Sequence, residues 1–193
     1  MVVVVGGVGK VSAALATQFA CDVFKPRCLI AIGLAGDLRG DTGRGQVIVA
    51  TGAVQHDYDA RPLAAARGEM PTLNLSVFSA EAPLAEKLLV AAKRSVENPR
   101  IVRPGLVLTG DQIIASRATR DALVREFPDG ACVDMETGAI AQVAHQNGLP
   151  WGAVRVTSDS ADETFDLEAV IDFGVTTASE LFARIIGDAV TDL

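Results

Sequence analysis

Cysteine, histidine and basic side chains are all scarce in this chain, and long apolar runs are missing. Cys21, Cys28 and Cys132 are odd in number and form no CxxC pair, so they read as small apolar residues of a reducing compartment rather than as a metal or redox centre. His56 and His145 are the only histidines, and neither has a second at ligand spacing, which argues against zinc. Seventeen Lys and Arg against 24 Asp and Glu leave a net charge of -7. Such a surface repels a nucleic-acid backbone and an anionic membrane alike, and points to a small neutral or cationic ligand. VVVV at residues 2–5 is too short for a secretory apolar region and has no basic stretch before it, and nothing approaches the ~18 apolar residues of a membrane span. The expected location is the cytoplasm.

What is present fits one well-buried domain over residues 1–193, with 49% hydrophobic residues and no internal repeat, low-complexity tract or linker. Short β-branched runs alternate with Ala-rich helical stretches, the pattern of stacked strand-helix-strand units. The sequence predicts a strand at 2–5, buried on both faces because it lacks alternation. A helix over 10–24 follows, ended by Lys25-Pro26, then strands at 28–32 and 45–54 and a polar loop over 57–71. A strand at 72–79 precedes a helix over 80–96 that places Leu84, Leu88, Leu89 and Ala92 on one face. Pro104 interrupts IVRPGLVLTGD and removes a ladder donor, so that segment reads as an edge strand or a broken one. Helix 117–127, strand 131–135, helix 136–147, strand 151–159 and a closing helix over about 167–186 complete the chain.

The turn GGVGKVS resembles a phosphate loop until its spacing is counted. Such a loop needs Ser or Thr directly after the Lys to bind magnesium, whereas Val11 follows Lys10 and Ser12 comes one residue late, about 100° round the helix. An ATPase pairing this turn with ACVDME is a distant reading. The glycines suit close strand-helix packing and backbone approach to a ligand. In open α/β sheets ligands bind beyond the carboxyl ends of the strands, and four such ends stand out: GLAG, GDQII, DME and SD. Singly each is an ordinary turn or capping sequence.

Together, GGVGKVSAALA, KPRCLIAIGLAGDL, QHDYDARPL, GLVLTGDQII, ACVDMETGAIAQVAHQNGLP and VRVTSDSAD resemble, in order and spacing, the bacterial 5′-methylthioadenosine/S-adenosylhomocysteine nucleosidases of the nucleoside phosphorylase superfamily. The resemblance covers nearly the whole chain. It implies an α/β three-layer sandwich with a central mixed β-sheet flanked by helices, hydrolysis of a purine nucleoside or thionucleoside without a cofactor, and a homodimer. Asp159 matches the acid that protonates the departing purine, with Ser158 orienting it; capping the chain after its strand is the plainer role. Glu136 matches the carboxylate that binds ribose hydroxyls as the sugar gains positive charge, although a helix dipole also favours Glu there. Met135 packs on sugar and base or simply fills core. Ile114 corresponds to the backbone that reads adenine, and Ile113 replaces a usual aromatic. Arg155 matches an arginine near the attacking water, or belongs to a buried ion pair. Ala35 and Gly36 of GLAG border the substrate, and Phe165 corresponds to an aromatic on a closing segment. His56 and Asp57 are structural residues of a segment that borders the dimer.

Two departures from the family pattern matter. Leu34 stands where serine is usual, and no arginine adjoins GLAG, since Arg39 and Arg44 lie farther along, so hydrolysis is expected over phosphorolysis. The family's opening strand, with the glutamate that activates water, has no counterpart in the residues given, which predicts slow turnover. The alternatives are a phosphate-dependent purine nucleoside phosphorylase and a catalytically impaired nucleoside-binding protein.

Overall fold

The computed structural model describes residues 1–40 and 43–191. Helix α1 (Lys10–Phe24) leads into β1 (Leu29–Asp37) and β2 (Val47–Gln55), and a short β3 (Val77–Ser79) precedes α2 (Ala82–Arg94). Then come β4 (Val102–Thr109), α3 (Arg117–Glu126), β5 (Gly130–Asp134), α4 (Thr137–Gln146) and β6 (Trp151–Asp159), followed by α5 (Leu167–Phe173) and α6 (Ser179–Val190), joined by a wide turn of helix at Gly174–Ala178. The strands lie in the order β3-β2-β4-β5-β1-β6, and β6 also pairs with β2, so the mixed sheet curls round and closes. β2 makes this possible by using one edge twice, giving Val47–Val49 to β6 and Gly52–Val54 to β3.

Alternate side chains feed two cores, as a period of two requires in strands covered on both faces. Val47, Val49, Val154 and Val156 pack with Leu84 and Leu88 of α2 and with Leu181, Phe182 and Ile185 of α6. Ile48, Ala53, Val107, Cys132 and Ala153 face the other way, onto Ala141 and Ala144 of α4 and onto Trp151 and Phe78. α2 shows how local sequence starts such a helix. Glu81 accepts a bond from the Leu84 amide at 2.7 Å, Pro83 sits in the first turn, and Lys93 and Arg94 meet the negative end of the dipole. Among the described residues no helix is long and apolar enough to cross a membrane. Burial pushes the Cys132 thiol far above its ordinary range, as befits a packing residue.

The structure corrects three expectations. Residues 2–5 form no strand, and Val2, Val3 and Val5 are 56%, 76% and 91% exposed. β-propensity alone does not make a strand: β1 gives Leu29–Gly36 to β6 and meets β5 only at Gly36–Asp37, and residues 2–5 make no ladder with the rest of its other edge. The strand expected at 72–79 shrinks to Val77–Ser79. Pro104 is not on an edge strand, because β4 lies between β2 and β5. The proline is tolerated because β5 joins only from Leu106 onward, which leaves Pro104 paired on the β2 side alone.

Candidate functional site

The parallel pairing of β1 with β6 brings the candidate residues to one place. Gly33 lies opposite Arg155 and Gly36 opposite Asp159, with a register shift between Ala35 and Gly36. The shift leaves Ser158 as the extra residue of a bulge, and bulges re-aim the side chains that follow. Asp159 therefore ends beside Gly36, where an added Cβ would lie 3.1 Å from Oδ1 and 3.0 Å from the Ala161 methyl. Only glycine leaves that space open.

Asp159 is held from both sides. The Ser158 hydroxyl donates to its Oδ2 at 2.8 Å and lies 3.4 Å from the Ala35 carbonyl, while the Ala161 amide donates to Oδ1 at 2.8 Å. Ala161 sits at φ 51, a left-handed conformation that costs a residue with a Cβ about 1–2 kcal/mol. Burial raises the Asp159 carboxyl above its usual range; the Ala161 amide, the Ser158 hydroxyl and Arg44 oppose that shift. A carboxyl so placed keeps a proton to higher pH, which is what a general acid needs.

Glu136 forms the second group, at the start of α4. Its Oε1 accepts the Gly9 amide at 3.0 Å, and Oε2 lies 3.7 Å from Arg155 Nη1. Burial raises its carboxyl too, against the pull of the Arg155 charge and the Gly9 amide. Arg155 is 3% exposed; its Nη2 meets Asp134 Oδ2 at 2.8 Å and its Nε donates to Thr137 Oγ1 at 2.8 Å. Gly33 makes room for this guanidinium, since a Cβ there would collide with Nη1. Arg155 is thus both a member of a buried ion pair and a neighbour of Glu136. A cleft of about 880 Å³, bordered by residues 1–8, α1 and β1, reaches Glu136 and Arg155.

The remaining candidates are spread around these two groups. Met135 is half-buried between Asp134 and Glu136, and Phe165 is half-buried on the segment after β6, its amide donating to the Asp162 carbonyl at 3.1 Å. Ile114 is 4% exposed and packs with Leu38, Val133 and Ala161, whereas Ile113 is 54% exposed. His56 is 1% exposed and, among the described residues, its ring nitrogens have no hydrogen-bond partner, with Gly110 against the ring. Burial lowers its pKa. Among the described residues no group of three or more His, Cys, Asp or Glu side chains is arranged to hold a metal.

Sequence reasoning missed three participants. Asp134 is the hub beneath Glu136. It accepts Thr109 Oγ1 at 2.5 Å and the Thr137 amide at 3.1 Å, as well as the Thr137 hydroxyl and Arg155. The signal was there in DMET, where an acid three residues before a helical Thr is a capping pattern. Arg44 does not stay out in its loop. Its Nε donates to the Ser158 carbonyl at 2.8 Å and its guanidinium lies 5.4 Å over the Phe173 ring, which brings an arginine beside Asp159. Lys10 reaches Asp57 Oδ1 at 2.6 Å, a pairing that no local pattern announces.

Known proteins share this arrangement of strands. A family model described as the phosphorylase superfamily matches residues 1–191. A 5′-methylthioadenosine/S-adenosylhomocysteine nucleosidase of Staphylococcus aureus is 29% identical over 188 residues, spanning 96% of this chain and 81% of that protein. The crystal structure of the corresponding nucleosidase from Neisseria meningitidis, in complex with methylthio-immucillin-A, has a TM-score of 0.89 at 32% identity and covers 98% of this chain and 80% of its own. An S-adenosylhomocysteine nucleosidase from Streptococcus pyogenes, in complex with 5-methylthiotubericidin, has a TM-score of 0.86 at 30% identity over 97% of this chain and 77% of that one. With a family match along nearly its whole length and folds this close at such identity, the chain belongs to the phosphorylase superfamily, in its methylthioadenosine/S-adenosylhomocysteine nucleosidase family.

Proposed function

We propose that the protein hydrolyses the bond between purine and ribose in 5′-methylthioadenosine, S-adenosylhomocysteine or a close thionucleoside. The observation that carries this reading is the pair of half-buried carboxyls that one strand pairing positions, Asp159 opposite Gly36 and Glu136 beside Arg155, which itself lies opposite Gly33. Departure of the purine requires a proton on the base and leaves an oxocarbenium-like sugar. Asp159, oriented by Ser158, supplies the proton. Glu136, fixed by the Gly9 amide and Arg155, accepts the ribose hydroxyls and stabilises the sugar as its charge grows. Met135, Ile113, Ile114, Ala35, Gly36 and Phe165 border the base and sugar. The whole of 1–193 acts as one domain, and no organic cofactor or metal takes part.

The purified protein should release adenine from methylthioadenosine in phosphate-free buffer, with added phosphate leaving the rate unchanged. Release that depends on phosphate would transfer the protein to the phosphorylases, the second reading that Arg44 beside Asp159 favours. Binding without release under either condition would make it a nucleoside-binding protein.

A homodimer in the cytoplasm, serving methionine salvage, completes the proposal. Its support is the outward stripe of α1, where Val11, Leu15, Phe19 and Val23 are 71%, 69%, 55% and 54% exposed at successive four-residue steps. Such a continuous apolar face on a helix suits association with a second copy. Sedimentation should show a dimer for the wild type and a monomer for the pair Leu15→Glu and Phe19→Glu; a monomeric wild type would remove the dimer.

A further inference from the structure

The turn that holds Glu136 is itself fastened by a circuit of charges outside the site. Gly9 donates its amide to Glu136, and the next amide, that of Lys10, donates to Asp111 Oδ1 at 2.7 Å. The Lys10 ammonium meets Asp57 Oδ1 at 2.6 Å and lies 3.9 Å from Asp111 Oδ2. The other oxygen of Asp57 accepts the Asp111 amide at 2.9 Å, which closes the circuit. Three segments distant in sequence meet here: the glycine turn before α1, the chain leaving β2 and the chain leaving β4. The last of these continues into Ile113 and Ile114.

We propose that Lys10 is a positioning residue for Glu136, holding the Gly9 turn against the sugar-binding carboxylate and locking that turn to the base-side segment 110–114. The proposal rests on the nucleosidase reading above. The Lys10 side chain is only 18% exposed and that of Asp57 26%, so water screens the pair less than an ordinary surface bridge. Burial raises the Asp57 carboxyl, but the Lys10 hydrogen bond and the Asp111 amide more than reverse this and keep it ionised. Gly9 stands at φ 89 and a Cβ there would lie 3.1 Å from Asp111 Oδ1, so only glycine lets the turn approach Asp111 this closely, and glycine's own freedom leaves the turn to be held by its partners. The first amides of α1, where a phosphate would otherwise sit, are filled by Glu136 and Asp111. That is why GGVGK is no phosphate loop.

Lys10→Met should lower kcat for adenine release about 10-fold and change KM by less than about 3-fold, because Glu136 matters most once the sugar is cationic. Lys10→Arg should recover most of the loss. In a Glu136→Gln background the same Lys10→Met change should cost less than about 2-fold, since the interaction it supports is already gone. An equal loss in both backgrounds, or a loss confined to KM, overturns the proposal. Two measurements decide it without turnover, even for a protein that releases no adenine. Amide exchange should quicken at both 9–10 and 110–114 in Lys10→Met. The Glu136 carboxyl, followed by carbon-13 NMR, should titrate at higher pH as the Gly9 bond loosens. Exchange that quickens only at 9–10, or an unmoved Glu136 titration, refutes it.

Discussion

Asp159→Asn should slow adenine release by about 10²–10⁴, the scale of a general acid, and at the same time make the folded protein more stable near neutral pH. The two effects have one cause. The folded-state carboxyl is raised by burial, so wild-type Asp159 stabilises the fold below the unfolded value of about 3.9, and that contribution is lost as pH rises through the folded value. An amide has no charge to desolvate. Its oxygen still accepts the Ala161 amide, and the Ser158 hydroxyl turns towards the Ala35 carbonyl while accepting from the new NH₂ group. The melting temperature of the variant should exceed that of the wild type at pH 7 to 8 and converge on it below about pH 4. Wild-type turnover should fall as pH rises through the same raised value. Equal losses in calorimetric affinity and turnover, or a lower melting temperature at pH 7, would make Asp159 a structural residue only.

Removing the guanidinium should be the most damaging single change to stability. Arg155→Met keeps the bulk but leaves Asp134, whose side chain is 1% exposed, without a counter-charge, and a stranded buried charge costs about 3–5 kcal/mol. That is a large part of the ~5–15 kcal/mol available to a domain. Neutralising the partner as well should recover much of the loss, because in Asp134→Asn the amide oxygen still accepts from the Thr137 amide and the new NH₂ group donates to the Thr109 hydroxyl oxygen. Urea denaturation of the two single variants and the double variant makes the cycle. A loss under about 1 kcal/mol for Arg155→Met, or additive losses in the double variant, would mean that the Asp134 pairing contributes little.

Segments whose ends are marked locally were legible in the sequence. Helix 10–24 stops at Lys25-Pro26 and is found at Lys10–Phe24, and strand 151–159 starts after Gly148 and Pro150 and is found at Trp151–Asp159. Periodicity alone could not say that VVVV would lack a ladder, nor that β4 would be an interior strand whose partner begins past Pro104. The two carboxyls of the site were reached through motif resemblance, while the residues that hold them were not. Asp134 looked like the first letter of a motif, and Lys10, Asp57 and Asp111 find one another only after β2, β4 and α1 have been placed. Arg44 reaches the Ser158 carbonyl because Gly45 and Gln46 also bond to Thr157, which draws that loop along β6.

The closure of β2 onto β6 sets an order of events while the chain is being made. Val47–Val49 leave the ribosome long before their partners Val154–Val156 exist, so β2, β4 and β5 can assemble only as an open sheet, with apolar β-branched edges exposed to chaperones and to other nascent chains. Pairings this distant in sequence are also the slow ones to form. The strand that ends the exposure carries Arg155, Ser158 and Asp159. A nascent chain stalled before residue 151 therefore lacks its last ladder and the proposed acid together, and one stalled between Asp159 and α6 has both but still leaves Val47, Val49, Val154 and Val156 without their helix cover.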